Sequence, residues 1–216
     1  MLSGDCMNDS AGVRLWNGAM LPTPGVFQID PAHTTAGFVA RHLMVTQVRG
    51  RFEQVEGTVH IADDPLDSSA NAVIDTGSIT TGAAERDAHL RSADFLDVEA
   101  FPQMSFLSRE VHGGDSGPKW SVVNGQMVRR RRGGAGKFVC VGDLTIRGVT
   151  RPIELDVSID GVKGDPWGGE RLALSATGEI DREAYGMTWN VALEAGGWLV
   201  SQKVQLEIRA QAIRMT

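Results

Sequence analysis

The strongest constraint on the fold is a strict alternation in Ile153-Glu154-Leu155-Asp156-Val157-Ser158-Ile159-Asp160, where every odd position is aliphatic and every even one polar. Successive side chains of an extended strand point to opposite faces, so a period of two gives the strand one dry face and one wet face. The same pattern returns near the C-terminus, with Val204, Leu206, Ile208 and Ala210 on one face and Lys203, Gln205, Glu207 and Arg209 on the other. Related readings pair Phe38 with Ala40, Phe52 with Val55, Gly57, Val59 and Ile61, and Met104 with Phe106 and Ser108. Phe138 groups with Cys140, Leu144 and Ile146, and Leu172 with Leu174, Ala176 and Ile180. Many strands with one apolar face each predict an all-β fold that packs as a sandwich or closes into a barrel, and the pattern alone does not choose.

The alternation breaks at Ala83-Ala84-Glu85-Arg86-Asp87-Ala88-His89-Leu90-Arg91, a run of helix formers after Gly82 that predicts one short helix. A glycine-rich stretch from Gly113 to Gly136 contains Arg129-Arg130-Arg131-Arg132 and reads as an elongated hairpin with a basic tip. Residues 1–25 read as a loose extension, and residues 26–214 as a single barrel-sized domain within the 216-residue chain. The formal net charge of -6 argues against general nucleic-acid binding, which relies on a basic face. Cys6 and Cys140 form neither a disulfide framework nor a zinc-spaced pair, so Cys140 reads as a small core residue. Asp5, Asn8, Asp9 and Arg14 interrupt any secretory apolar run, no window is long and apolar enough for a membrane span, and a cytoplasmic location is expected.

Several strings, in order, resemble the YceI-like family. They begin with Phe27-Gln28-Ile29-Asp30-Pro31-Ala32-His33, Gly37-Phe38, Arg41-His42 and Val48-Arg49-Gly50-Arg51-Phe52. Ser78-Ile79-Thr80-Thr81-Gly82, Arg86-Asp87-Ala88-His89-Leu90-Arg91 and Phe101-Pro102-Gln103-Met104-Ser105-Phe106 follow. The series ends with Gly142-Asp143-Leu144-Thr145-Ile146-Arg147-Gly148, Asp165-Pro166-Trp167-Gly168, Ile180-Asp181-Arg182 and Tyr185-Gly186-Met187-Thr188-Trp189-Asn190. The resemblance covers about residues 26–212 and implies an extended, antiparallel, eight-stranded, lipocalin-like barrel with a short helix. It also implies a tunnel for a polyisoprenoid, an isoprenoid quinone or a similar long lipid, and a homodimer as a common state. Two departures stand out: family members often carry an export signal, which is not visible here, and the 113–136 insertion is unusually long and basic.

A small barrel is either filled by its own side chains or holds one small ligand. The expected tunnel lining is Phe38, Phe52, Met104, Phe106, Leu144, Ile146, Leu155, Met187 and Trp189, with small residues such as Ala40, Cys140, Gly142, Ala176 and Gly178 leaving room. A buried methylene contributes about 0.8 kcal/mol, so ten ligand carbons supply roughly 8 kcal/mol before association costs. His42, Ser108 and Arg182 are expected head-group contacts at the tunnel mouth. His33, His42 and His89, with Asp30, Arg86 and Asp87, suggest either a metal or acid–base site in a lipid-acting hydrolase, or bracing of the helix and first turn by charge-assisted hydrogen bonds. No G-x-S-x-G, H-E-x-x-H or phosphate-loop motif is present, so a non-catalytic binding protein without a cofactor is expected. A ligand-free stress-response protein acting through its surface is the remaining alternative.

Overall fold

The computed structural model describes residues 12–43, 46–113, 120–123, 126–129, 135–165, 168–192 and 199–215. In chain order the strands are β1 (Val13–Trp16), β2 (Ala19–Pro22), β3 (Gly25–Ile29), β4 (Thr35–His42), β5 (Thr46–Phe52), β6 (Val55–Ile61), β7 (Ser69–Asp75) and β8 (Ile79–Thr80). The helix α1 (Ala84–Arg91) comes next, then β9 (Gln103–Gly113), β10 (Trp120–Val123), β11 (Gln126–Arg129), β12 (Lys137–Ile146), β13 (Val149–Gly164), β14 (Glu170–Asp181) and β15 (Val200–Arg214).

The large sheet closes on itself as an eight-stranded antiparallel barrel with one short helix. Two of its staves are broken strands, β3 with β4 and β5 with β6. The first break follows from Pro31, which has no N–H to donate and opens a 3-10 turn, Pro31–His33, capped by Asp30 Oδ1 accepting from Ala32 N at 3.1 Å. Both halves still pair with β15, β3 through Ile29↔Ala212 and β4 through Ala40↔Val204. From there the chain meanders through β7, β9, β12, β13 and β14, and β14 rejoins β15 from Arg171↔Ile213 to Asp181↔Lys203. Neighbours in sequence are neighbours in space, which short turns between antiparallel strands favour. The β12–β13 turn, Arg147-Gly148, has positive φ at both residues (50° and 72°), the tight hairpin geometry in which glycine fits without strain.

The expected loose extension is corrected for residues 12–25. Asn17-Gly18, with φ of 45° and 80°, turns β1 back on β2, and Ala19 and Leu21 are buried against Phe138. Trp16 stacks on Phe138 at 5.6 Å between ring centroids, while Arg14 donates to the carbonyls of Ala62 and Asp63. This hairpin covers one end of the barrel, and α1 stands at the other. The expected hairpin within 113–136 is present as β10 paired with β11, in register from Trp120↔Arg129 at one end to Val123↔Gln126 at the other. Arg129 therefore pairs with Trp120 at the open end of that hairpin rather than at its tip, and Arg130, Arg131 and Arg132 lie outside the described residues.

Candidate functional site

Inside the barrel lies a cavity of about 330 Å³ whose wall is almost wholly hydrocarbon. It runs from Leu21, Pro22 and Ile61 at the β1–β2 end to Leu90, Phe95 and Leu96 beside α1. On β12, wall residues extend from Phe138 to Ile146, a rise of roughly 27 Å along a strand tilted to the barrel axis, so the cavity is on the order of 20 Å long. Inward faces of alternating strands build this wall, which is why the period-two reading found most of it. Phe38, Phe52, Met104 and Phe106 border the cavity, as do Leu144, Ile146, Leu155 and Met187.

Trp189 does not. Its ring packs edge-on against His89 at 4.6 Å and tilted, at 53°, against Phe95 at 5.4 Å, outside the wall. The segment after Gly186, a left-handed residue (φ 80°), is not a strand, so the alternation from Met187 to Trp189 carries no facing information. The glycines also differ from expectation. A Cβ on Gly142 would sit 2.5 Å from Phe106 Cζ, and one on Gly50 would sit 2.3 Å from Phe38 Cζ. These two positions house aromatic rings, while Ala40, Cys140 and Ala176 border the cavity.

Of the three expected head-group residues, only Arg182 borders the cavity. Ser108 Oγ accepts the Ala70 N–H at 2.8 Å, because an extra residue at Arg109 bulges β9 opposite Val141/Gly142 and hands the inward position to Val111. His42 is half-buried at the end of β4, opposite Val200, and is not part of the wall. Arg182 is 3 % exposed; its Nε donates to Ser201 O at 3.0 Å, and its Nη1 to the carbonyls of Met187 and of Trp189, the latter at 2.9 Å. Burial lowers its pKa from the usual arginine value, opposed by the charges of Glu183 and Asp181.

The signature histidines lie apart. His33 Nδ1 meets Asp30 Oδ2 at 2.9 Å and His89 Nε2 meets Asp94 Oδ2 at 2.9 Å, while β4 separates His33 from His42 by on the order of 25 Å. Among the described residues no group of three His, Cys, Asp or Glu is placed to hold a metal ion. Their charged neighbours tie elements together. Asp30 also accepts from Arg171 Nη1 at 2.8 Å, and that guanidinium holds its carboxyl below the usual aspartate range. Buried Asp87 accepts from Thr81 N at 2.8 Å, Thr81 Oγ1 at 2.5 Å and Thr80 Oγ1 at 3.2 Å, pinning α1 to β8. Arg86 donates to Thr81 Oγ1 at 2.7 Å, and Arg91 to the carbonyls of Gly77 and Ile79 at 2.9 and 2.6 Å. Burial pushes the Cys140 thiol, on the cavity wall, up to about 11.

The profile of the YceI-like domain matches residues 27–212. A UPF0312 protein of Staphylococcus aureus is 33% identical over 190 residues, covering 86% of this chain and 95% of that protein. Among solved structures, Burkholderia cenocepacia BcnA superposes with a TM-score of 0.65 at 18% identity, over 85% of this chain and 99% of its own. A polyisoprenoid binding domain from Saccharophagus degradans superposes with a TM-score of 0.57 at 13% identity, over 89% of this chain and 100% of its own. At these identities the two structures speak to the fold.

Proposed function

This chain belongs to the YceI-like family, and from that premise we propose that its barrel holds one long apolar molecule, a polyisoprenoid, an isoprenoid quinone or a similar lipid, for carriage or sequestration. The observation that carries the proposal is the cavity itself. Each methylene buried against such a wall contributes about 0.8 kcal/mol, so a long hydrocarbon gains on the order of 8 kcal/mol for every ten carbons it places there. The cavity volume lies in the range of small-molecule sites, about 300 to 1,000 Å³, and the wall offers water almost no hydrogen-bond partner. A flexible hydrocarbon is the occupant that such a wall recognises. The family relationship and the structural neighbour named for polyisoprenoid binding support the same reading.

A non-catalytic role is favoured over a hydrolase. Among the described residues the cavity wall presents no nucleophile with an adjacent base: Cys140 is held as the neutral thiol, and His33, His42 and His89 stand outside the wall and apart from one another. Gentle solvent extraction of the purified protein, followed by mass spectrometry, tests the proposal. A long-chain lipid in near-equal molar amount is expected. Absence of lipid, together with failure of the extracted protein to take up a prenyl alcohol or a prenylated quinone, refutes it.

A further inference from the structure

Among the described residues bordering the cavity, Arg182 is the one that carries a charge. It opens the 3-10 turn Arg182–Tyr185 directly after β14, beside Ile180 at the α1 end. Three backbone carbonyls satisfy Nε and Nη1, but Nη2 is sealed from solvent with no hydrogen-bond acceptor among the described residues. The carboxylate of Glu183 stands 3.8 Å from it, close enough to balance charge and too far for a hydrogen bond. The polar wall residues at the opposite end are differently placed. Thr34 Oγ1 donates to Gln211 O, Ser68 Oγ accepts the Ala62 N–H, and Asn71 Nδ2 donates to Thr58 Oγ1. A buried guanidinium N–H left without an acceptor is costly, and a guanidinium can only donate. What completes it is an acceptor oxygen. Because Glu183 already faces the charge, a neutral carbonyl suffices and an anion is not required.

We propose that Arg182 anchors the oxygen-bearing end of the ligand, so that a carbonyl or phosphate oxygen lies at the α1 end and the hydrocarbon tail runs toward the β1–β2 hairpin. This rests on the apolar-ligand reading above and adds to it an orientation and a head-group requirement.

The test uses the full chain stripped of lipid and three probes with the same prenyl chain: a prenylated quinone, a prenyl phosphate and the plain hydrocarbon. At least one oxygen-bearing probe is expected to bind about tenfold or more tightly than the hydrocarbon. The stronger of the two identifies the acceptor as a neutral carbonyl or a phosphate. Quinone binding quenches nearby tryptophan fluorescence, and Trp16 marks the far end. The quench is therefore expected to persist in Trp16→Phe. In Arg182→Gln, where circular dichroism shows a folded barrel, the preference shrinks to within about twofold. If that variant does not fold, the wild-type comparison and Trp16→Phe still decide. Equal affinity for all three probes, or a quench lost with Trp16, overturns the anchor while leaving the apolar-ligand reading intact. Failure of every probe to bind removes both.

Discussion

Gly142 and Phe106 meet across neighbouring strands, and their contact leaves no room for one added methyl group. A Cβ at Gly142 would stand 2.5 Å from the Phe106 ring and 2.6 Å from Leu107 O, so Gly142→Ala forces a ring out of place or shifts the β9 backbone. A loss of about 1 to 3 kcal/mol is expected, read as a lower urea midpoint with an unchanged slope. Cys140, on the same strand, is a thiol rather than a thiolate at neutral pH because burial raises its pKa to about 11. It should resist alkylation at pH 8 in the native protein and react on unfolding, which peptide mass spectrometry distinguishes from labelling at Cys6. At this scale the sequence told which side chains face inward but not how they share space. Of the small residues expected to leave room, Ala40, Cys140 and Ala176 border the cavity, but Gly142 holds a ring, because a glycine beside an aromatic residue on a paired strand is the cheapest place for that ring to lie. Trp189 was misplaced for a different reason: period two has meaning only inside a strand, and the chain after Gly186 is not one.

At the scale of elements, the helix depends on Asp87, and its dependence has a pH signature. The Thr81 hydroxyl, opposed by burial, holds the Asp87 carboxyl below the ordinary aspartate value, so the folded state binds that proton less readily than the unfolded chain. The stabilisation is present above about pH 3.9 and is lost as pH falls through the lower folded value. Asp87→Ala leaves the Thr81 N–H and two hydroxyls without their acceptor and should cost about 2 to 4 kcal/mol at neutral pH. Asp87→Asn should unfold with a weaker dependence on pH below about 4 than the parent. Acid titration followed by circular dichroism checks both. The hairpin at the other end has a local signature that strand periodicity does not register. Asn17-Gly18 between Arg14-Leu15-Trp16 and Ala19-Met20-Leu21 is a strong local hairpin signal, but four-residue strands are too short for periodicity to register. Leu21, 2 % exposed and bordering the cavity, should cost about 2 to 5 kcal/mol when cut to alanine, measured by thermal unfolding. The bulge at Arg109 was not legible, because one extra residue in a strand leaves no local mark and flips the facing of everything beyond it.

For the whole molecule, patterning established an all-β fold with one dry face per strand, and the ordered motif strings established the family. Hollowness belongs to neither; it emerges only when eight staves close with their side chains in place. The cavity gives that hollowness a consequence in opposite directions. Ala176 borders it and is 5 % exposed, so Ala176→Leu should raise the melting temperature of the lipid-free protein by filling space while weakening lipid uptake. The most direct measurement of the central claim is native mass spectrometry of lipid-free protein mixed with a prenylated quinone. One quinone retained per chain in the wild type, and sharply less in Ala176→Leu, is the predicted result. No retained quinone, or a spread of adducts that is the same in both proteins, would contradict a ligand held within the barrel.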